Sequence, residues 1–256
     1  MKKIGIIGGM SYESSAHYYV GINREIGRRA GGHTSADMVL RSVNFEPYCQ
    51  MMDEGKWIAI KDELAAEARH LVDKDTGDGC DFVAIATNTI HKAAGKAEQI
   101  LTCYGKPLVH IGDCIADACK AAGCKRVALL GTKVTMTDDF LKERLRQNGL
   151  EVVGDFDESE INELNRIIFD ELCHGEVKDE SQIAFLNMIL CADCRDIDNG
   201  GGGFDAVILG CTELAMLLEN TSEIFFATDS KHKHHFCFID STQAHIDKLV
   251  EMCLEE

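Results

Sequence analysis

The chain has 256 residues, of which 45% are hydrophobic and only two are proline. This length and composition are typical of an ordered globular protein with one large or two small domains. The formal net charge of −17 argues against nucleic acid or an anionic membrane as a partner, because both would repel the chain. No stretch approaches the roughly 20 apolar residues of a membrane span. The glycine-interrupted start at residues 4–10 is typical of a strand, not of a signal peptide.

Twelve cysteines are scattered along the sequence, most of them within apolar runs. This pattern favours reduced, buried thiols in a cytoplasmic protein over a disulfide framework. Cys191 and Cys194 form a lone C-x-x-C pair without further ligands at a suitable spacing. The Lys/His run at residues 231–235 is interpreted as an exposed polar loop. No metal site is therefore expected.

Short apolar runs alternate with helical patterns in chain order, which indicates the α/β class. Strands of a parallel sheet, buried on both faces, are predicted at residues 4–7, 83–86, 127–130 and 207–209, with further candidates at 38–43, 108–111 and 236–239. Helices are predicted after residue 11, over 57–74, after residue 88, and over 137–147, 158–173 and 180–191.

One pattern occurs twice in the chain. Residues 3–9 are echoed at 126–132, an offset of 123, and residues 81–89 are echoed at 205–213, where Thr87 matches Cys211 at an offset of 124. The repeat predicts two pseudo-symmetric α/β domains, each a mostly parallel sheet flanked by helices. The first would comprise 1–105 plus 215–256 and the second 106–214, with the active site in the cleft between them.

Neither glycine-rich segment predicts a nucleotide site. Gly8 and Gly9 lack the third glycine of the dinucleotide fingerprint, and the loop at residues 199–203 lacks the Lys-Ser/Thr ending of a phosphate loop. The sequence therefore predicts no cofactor.

Cys211 follows a predicted strand and precedes a helical pattern. The positive end of a helix dipole is expected to lower the thiol pKa and favour the thiolate. A small buried hydrophobe is the usual role of such a cysteine. Its match to Thr87 in the repeat favours catalysis instead, with one acid/base group on each face of a small molecule.

Several motifs, in order, resemble the aspartate/glutamate racemase family from Ile4 to His245. They are Gly8-Gly-Met-Ser-Tyr-Glu-Ser14, Thr87-Asn-Thr-Ile-His91, Leu129-Leu-Gly-Thr-Lys-Val-Thr-Met136, Asp170-Glu-Leu-Cys173, Gly210-Cys-Thr-Glu213 and Asp240-Ser-Thr-Gln-Ala-His245. The resemblance implies two α/β domains around a cleft, cofactor-independent racemisation of an amino acid, and usually a homodimer.

The resemblance assigns Cys211 directly as a catalytic residue. On the other side, many relatives have Cys-Asn-Thr where this chain has Thr87-Asn88-Thr89. A subset of relatives also carries threonine there and is thought to work best from one enantiomer. A hydroxyl is a far weaker base than a thiol, although it can return a proton. Thr87 is therefore expected to support one direction better.

The resemblance also suggests substrate-binding residues. Asn88, Thr89 and Thr212, with backbone N–H groups at two helix starts, are expected to form a cradle for a carboxylate. Met10 and Thr132 lie in matching loops of the two halves and are expected to contact the substrate.

Two further residues carry open alternatives. Glu171 is interpreted either as a partner for the substrate ammonium group or as part of a solvated helix face. His91 is interpreted as either an orienting or a merely packed histidine.

The function favoured by these motifs is racemisation of aspartate or glutamate. No arginine lies within a motif, which leaves a neutral amino acid open as the substrate. The alternatives are another enzyme on the same scaffold, namely a maleate isomerase, hydantoin racemase or decarboxylase, and a non-catalytic amino-acid-binding protein.

Overall fold

A computed structural model of the chain describes residues 1–218 and 236–255. Residues up to 121 form β1 (Ile4–Gly8), α1 (Tyr12–Ala30), β2 (Met38–Ser42), α2 (Phe45–Asp53), α3 (Trp57–Val72), β3 (Phe82–Ile85), a 3-10 helix (Thr89–Ala93), α4 (Gly95–Cys103), β4 (Leu108–Val109) and α5 (Ile111–Ala121). The rest form β5 (Arg126–Leu130), α6 (Lys133–Thr137), α7 (Asp139–Gln147), β6 (Glu151–Val153), α8 (Glu158–Asp170), a 3-10 helix (Leu172–His174), α9 (Asp179–Asp198), β7 (Ala206–Leu209), a 3-10 helix (Thr212–Leu218), β8 (Cys237–Asp240) and α10 (Ser241–Leu254).

Two four-stranded sheets, each parallel throughout, form the framework. Their strand orders are β2-β1-β3-β4 and β6-β5-β7-β8, so the second order repeats the first with every strand number raised by four. In the first sheet Ile4 lies opposite Met38 and Phe82. This confirms the predicted α/β class and the internal repeat.

The chain divides into two compact units, Met1–Cys114 with Thr242–Glu256, and Ile115–Ser241. The sequence placed the boundaries elsewhere, at residues 105/106 and 214/215. Strand pairing explains the difference. β4 pairs with β3 and so belongs to the first sheet, whereas β8 pairs with β7 and so belongs to the second.

The first unit has a hydrophobic core on each face of its sheet. On one face Ile7, Val83 and Ile85 pack with buried residues of α3 and α4. On the other face Ile4 and Ile6 pack with α1 and α10. Alternate residues of β1 therefore point to opposite cores, as the pleat requires. Each fully buried isoleucine contributes about 1.5–3 kcal/mol to folding.

The second unit has its main core between the sheet and helices α8 and α9. Ala128 and Leu130 of β5 and Val207 and Leu209 of β7 pack there. Buried side chains of the two helices complete the cluster, among them Ile167, Ile168, Phe185 and Ile189. This core fixes the carboxyl ends of β5 and β7, which precede Thr132 and Cys211.

The strand order defines one special position in each sheet. The chain leaves β1 toward one edge and β3 toward the other, and it does the same from β5 and β7. Ligands of open parallel sheets bind beyond the carboxyl ends of the strands at such a reversal. The loops after β1 and β3, and after β5 and β7, are therefore the candidate sites.

Cys191 and Cys194 are exposed free thiols on α9, and the Lys/His run at 231–235 lies outside the described residues. None of the described helices is both long enough and apolar enough to cross a membrane.

Candidate active site

The loop after β1 is a tight turn onto the start of α1. Ser11 caps this helix by accepting the N–H of Ser14, as serine at an N-cap commonly does. The Gly9 N–H donates to Ser15 Oγ over 2.7 Å. Gly9 has φ of +90°, and a Cβ there would collide with the backbone of Val43, so the turn requires glycine at this position.

Met10 follows this turn and is 3% exposed. It belongs to the hydrophobic core between the first sheet and helices α3 and α4. The structure therefore gives Met10 a core role in the first unit, beside the proposed role of contacting substrate.

Thr87 lies on the loop after β3 and is half-buried. Its carbonyl accepts a hydrogen bond of 2.7 Å from His91 Nδ1, while His91 Nε2 accepts the Ile111 N–H at 3.3 Å. These partners define a neutral His91 with its proton on Nδ1. The Ser14 hydroxyl donates to the carbonyl of Ala86 over 3.0 Å, so the loops after β1 and β3 are joined.

Three buried histidines support the Thr87 loop, and the sequence did not group them. The rings of His91 and His110 meet edge-on with centroids 4.5 Å apart, and His245 lies 6.2 Å from His91. His245 accepts from Tyr18 Oη at 2.8 Å and donates to the carbonyl of Val109 at 2.9 Å. Burial lowers the pKa of His245 to about 3, so this ring is neutral. Of the two interpretations of His91, the contacts favour the orienting one.

Asn88 and Thr89 complete the first triplet. Asn88 is 5% exposed and Thr89 is half-buried. The Asn88 carbonyl accepts the N–H of His91 over 3.1 Å, which begins the 3-10 helix. The backbone carbonyls of Thr87 and Asn88 therefore both accept hydrogen bonds from His91, one from its ring and one from its backbone N–H.

The second unit has the equivalent pair of loops, also joined to each other. The Gly210 N–H donates to the carbonyl of Leu130 over 2.6 Å. A Cβ on Gly210 would lie 2.7 Å from that same oxygen, so only glycine allows this approach. Thr132 caps α6 by accepting the Thr135 N–H at 3.4 Å. This close joining places Thr132 and Cys211 at neighbouring strand ends.

Cys211 is half-buried and comes directly after this glycine. Its Sγ donates to Glu213 Oε2 over 2.9 Å. The Thr212 hydroxyl donates to the same oxygen over 2.5 Å. One carboxylate oxygen of Glu213 therefore accepts hydrogen bonds from both Cys211 and Thr212, the two residues that follow Gly210. Glu213 is the last residue of the motif Gly210-Cys-Thr-Glu213, but no role was predicted for it. The one feature of the sequence that could have indicated its role is a carboxylate two residues after the cysteine.

The pKa of Cys211 corrects the sequence expectation. Burial, and then the negative charge and hydrogen bond of Glu213, raise the thiol pKa well above its usual value. The expected lowering by a helix dipole does not prevail, because desolvation and a nearby carboxylate both disfavour the thiolate. The resting structure therefore holds a protonated thiol.

Glu171 lies at the end of α8 and is 2% exposed. Its Oε2 accepts from Ser181 Oγ over 2.6 Å, and its Oε1 accepts from Arg166 over 2.7 Å and faces Lys178 at 3.4 Å. Both oxygens are engaged inside the second unit. The sequence suggested that Glu171 either contacts the substrate ammonium group or lies on a solvated helix face. In the structure it instead belongs to a buried ionic network.

Three cations near the candidate loops have defined partners. Lys92 lies 4.2 Å above the ring of Trp57, and Arg41 pairs with the Glu67 carboxylate at 2.7 Å. The Lys133 ammonium instead donates to the neutral amide oxygen of Asn162 over 2.9 Å. Lys133, exposed at the end of β5, is thus a candidate to bind an anion near Thr132. In the described parts of the chain no cluster of three or more His, Cys, Asp or Glu side chains has the arrangement of a metal site.

Two parallel sheets of the same order, each with polar loops at its reversal, define a duplicated α/β enzyme scaffold. The chain belongs to the Asp/Glu/hydantoin racemase family, whose sequence profile matches residues 7–249. It is accordingly an enzyme, a racemase.

Solved structures agree with this assignment. A candidate Asp/Glu racemase from Yersinia pestis is 31% identical over 100% of both chains, with a TM-score of 0.82. An aspartate racemase homologue from Pyrococcus horikoshii is 32% identical over 100% of both chains, with a TM-score of 0.75. Glutamate racemase from Aquifex pyrophilus shares the fold at 17% identity and a TM-score of 0.58, over 98% of this chain and 83% of that one.

Proposed function

We propose that the protein interconverts L- and D-amino acids without a cofactor, and that aspartate or glutamate is the substrate. Cys211 removes or returns the α-proton on one face of the substrate, and Thr87 acts on the other face. The observation that carries the proposal is positional. Cys211 and Thr87 follow equivalent strands, β7 and β3, at the reversal point of two sheets with the same order.

The chemistry of the two loops supports this proposal. Removing an α-proton needs a base, and a thiol is the strongest candidate base on either loop once it is deprotonated. Returning a proton to the planar carbanion needs only a donor, which a hydroxyl provides. The proposal requires that the two loops face one substrate together, as the resemblance to the family implies.

The proposed substrate class rests on the relatives and on one local charge. The similar structures are described as Asp/Glu and aspartate racemases. Asn88, Thr89, Thr132 and the exposed Lys133 are proposed to bind the carboxylates, with Met10 and Thr212 bordering the site. We also propose a cytoplasmic homodimer that binds a small amino acid and neither nucleic acid nor membrane.

The test is α-proton exchange in heavy water. Purified protein is incubated with each amino acid, deuterium wash-in is followed by mass spectrometry, and enantiomers are separated by chiral chromatography. Cys211→Ser is expected to lower exchange by about 10²- to 10⁴-fold, the usual contribution of an acid/base group. Cys191→Ser, at an exposed cysteine of α9, is the control and should keep full activity. Normal exchange by folded Cys211→Ser would remove Cys211 from the mechanism.

A further inference from the structure

Cys211 must lose a proton before it can act as a base, and the structure has a specific acceptor for it. Glu213 Oε2 lies 2.9 Å from Cys211 Sγ, with the thiol as donor. The same oxygen accepts the Thr212 hydroxyl at 2.5 Å, which fixes the carboxylate in place. Resting on the proposed function, we infer that Glu213 is the proton acceptor that converts Cys211 into the catalytic thiolate.

The surroundings single out Glu213 for this role. Besides Glu213, the titratable group that faces Cys211 within the described part of the second unit is Cys173, on the 3-10 helix Leu172–His174. Cys173 is an exposed thiol, and a thiol is mostly protonated at neutral pH, so it accepts no proton. Glu171, the buried carboxylate of the neighbouring segment, already receives hydrogen bonds from Arg166 and Ser181.

The proton and electron balance is closed. The S–H bond of Cys211 breaks and an O–H bond forms on Glu213. The sulfur lone pair then takes the substrate α-proton, and the electrons of the broken C–H bond stay on the α-carbon. Thr87 returns its hydroxyl proton to the opposite face. Glu213 releases its proton to water, and water restores the proton of Thr87.

The transfer from thiol to carboxylate is uphill in the resting enzyme, because a carboxyl group is the stronger acid. The thiolate is therefore a transient species of turnover. This gives the Glu213 hypothesis a distinctive consequence: the carboxylate suppresses the resting thiolate through its charge, yet turnover depends on it. Removing the carboxylate should thus move thiol reactivity and turnover in opposite directions.

The experiment compares Glu213→Gln with the native enzyme by two readouts. Gln keeps the size and an accepting oxygen but has no charge and binds no proton. Iodoacetamide alkylation of Cys211 is followed by peptide mass spectrometry against pH, with the exposed Cys103 as an internal reference. The alkylation midpoint of Cys211 should move to lower pH in the variant, while kcat falls by about 10²-fold or more.

The pH profile of kcat separates this role from a structural one. In the native enzyme the carboxylate takes the thiol proton, so turnover at neutral pH does not require that the resting thiol be ionised. In Glu213→Gln no such acceptor remains, so the residual kcat should rise with pH in step with the alkylation of Cys211, as the thiol itself ionises. Glu176→Gln, at an exposed glutamate of the same unit, is the control and should leave both profiles unchanged.

Three outcomes overturn the inference: a kcat in Glu213→Gln that equals or exceeds the native value, an unchanged alkylation midpoint, or a residual kcat in Glu213→Gln that does not rise with pH. If Gln prevents folding, Glu213→Asp takes its place, since it withdraws the carboxylate from Sγ by one methylene and should lower both kcat and the alkylation midpoint. A native enzyme that exchanges no amino-acid α-proton would refute the proposed function instead. The alkylation midpoints would still decide whether Glu213 holds the thiol proton.

Discussion

The positions of Thr87 and Cys211 could be predicted from the sequence, but the hydrogen-bond partners of Cys211 could not. The repeat placed Thr87 and Cys211 at equivalent positions, because strand ends can be located from apolar runs. The partners of Cys211 could not be located in this way. Whether Glu213 turns toward Sγ depends on the 3-10 geometry after β7 and on burial around it, neither of which has a sequence period.

Glu171 illustrates the same limit. Its partners Arg166, Lys178 and Ser181 come from the helix before it and from the segment beyond the following turn. The chain reverses between α8 and α9, so residues on both sides meet one carboxylate. Glu171 continues the helical spacing of the buried residues of α8, so a helical wheel places it on the inner face of that helix. The reversal is what brings Lys178 and Ser181 to its carboxylate.

A stability prediction follows for Glu171. Hydrogen bonds from Ser181, then from Arg166 and Lys178, lower the pKa of this carboxyl. A lowered pKa means that the carboxylate stabilises the fold above its unfolded pKa, and that this contribution is lost as pH falls through the folded pKa. Glu171→Gln should therefore lower the free energy of unfolding at pH 7 by about 2 kcal/mol and flatten its decline in acid.

Urea denaturation at pH 7 and through the acid range measures both effects. Glu163→Gln is the matched control, because Glu163 pairs with the same Arg166 but is 45% exposed. That exposed pair should contribute at most about 1 kcal/mol. Equal losses in the two variants would show that burial of Glu171 has no special energetic role.

At the scale of elements, the buried strands were predictable and the short edge elements were not. Each of the seven runs proposed as strands overlaps an observed strand, and the ends differ by at most two residues. β6 was missed because it has only three residues, at a sheet edge, and begins with the exposed Glu151. Such a strand is too short to show a period.

Helices deviated from the sequence prediction for local reasons. The helix expected after residue 88 begins as a 3-10 helix and continues as α4 only from Gly95. The helix expected over 137–147 begins only at Asp139, as α7, because the extended backbone of Asp138 separates it from α6, which ends at Thr137. α2, α5 and α10 were not predicted, and of α6 only the last residue was. In the case of α5, the apolar start 108–111 favoured a longer strand, whereas β4 ends at Val109.

His245 connects three elements, and this leads to a pH prediction. The ring on α10 binds Tyr18 of α1 and the carbonyl of Val109 in β4. Burial is the main cause that lowers its pKa to about 3. Between pH about 6.5 and about 3, the unfolded chain binds a proton that the folded chain does not. Stability should therefore fall with decreasing pH by about 1.4 kcal/mol per unit for this group.

His245→Gln tests this slope, because Gln can still donate to Val109 but does not titrate. The variant should lose some stability at pH 7 and should show a shallower decline from pH 6 to pH 4 than the native protein. Thermal melts across this range provide the measurement, with His33→Gln at an exposed histidine as the control. A decline as steep in His245→Gln as in the native protein would exclude His245 as the responsible group.

At the scale of the whole molecule, the internal repeat contained most of the predictable information. Two matching strand-loop patterns were enough to predict two parallel sheets of like topology. The bounds of the two compact units differ from the expected domain boundaries. They depend on strand pairing, and the two strands concerned, β4 and β8, each continue the sheet before them in the chain. The two halves of the repeat differ in function because one has Thr87 where the other has Cys211.

That asymmetry yields the last prediction, on the direction of racemisation. A thiol ionises far more readily than a hydroxyl, so only the Cys211 side removes protons efficiently, even with its raised pKa. The Thr87 side mainly returns them. One enantiomer should therefore give much the higher kcat. By resemblance to relatives with threonine at this position, the L-enantiomer is expected to be the faster substrate.

Thermodynamics fixes the form of this difference. Because L- and D-amino acids have equal free energies, kcat/KM must be the same in both directions, and the slower direction must show the lower KM. Thr87→Cys should raise the slow kcat and narrow the gap. Deuterium wash-in started separately from each enantiomer measures both directions in the native enzyme and the variant. Equal kcat values from both enantiomers of the native enzyme would show that Thr87 limits neither direction.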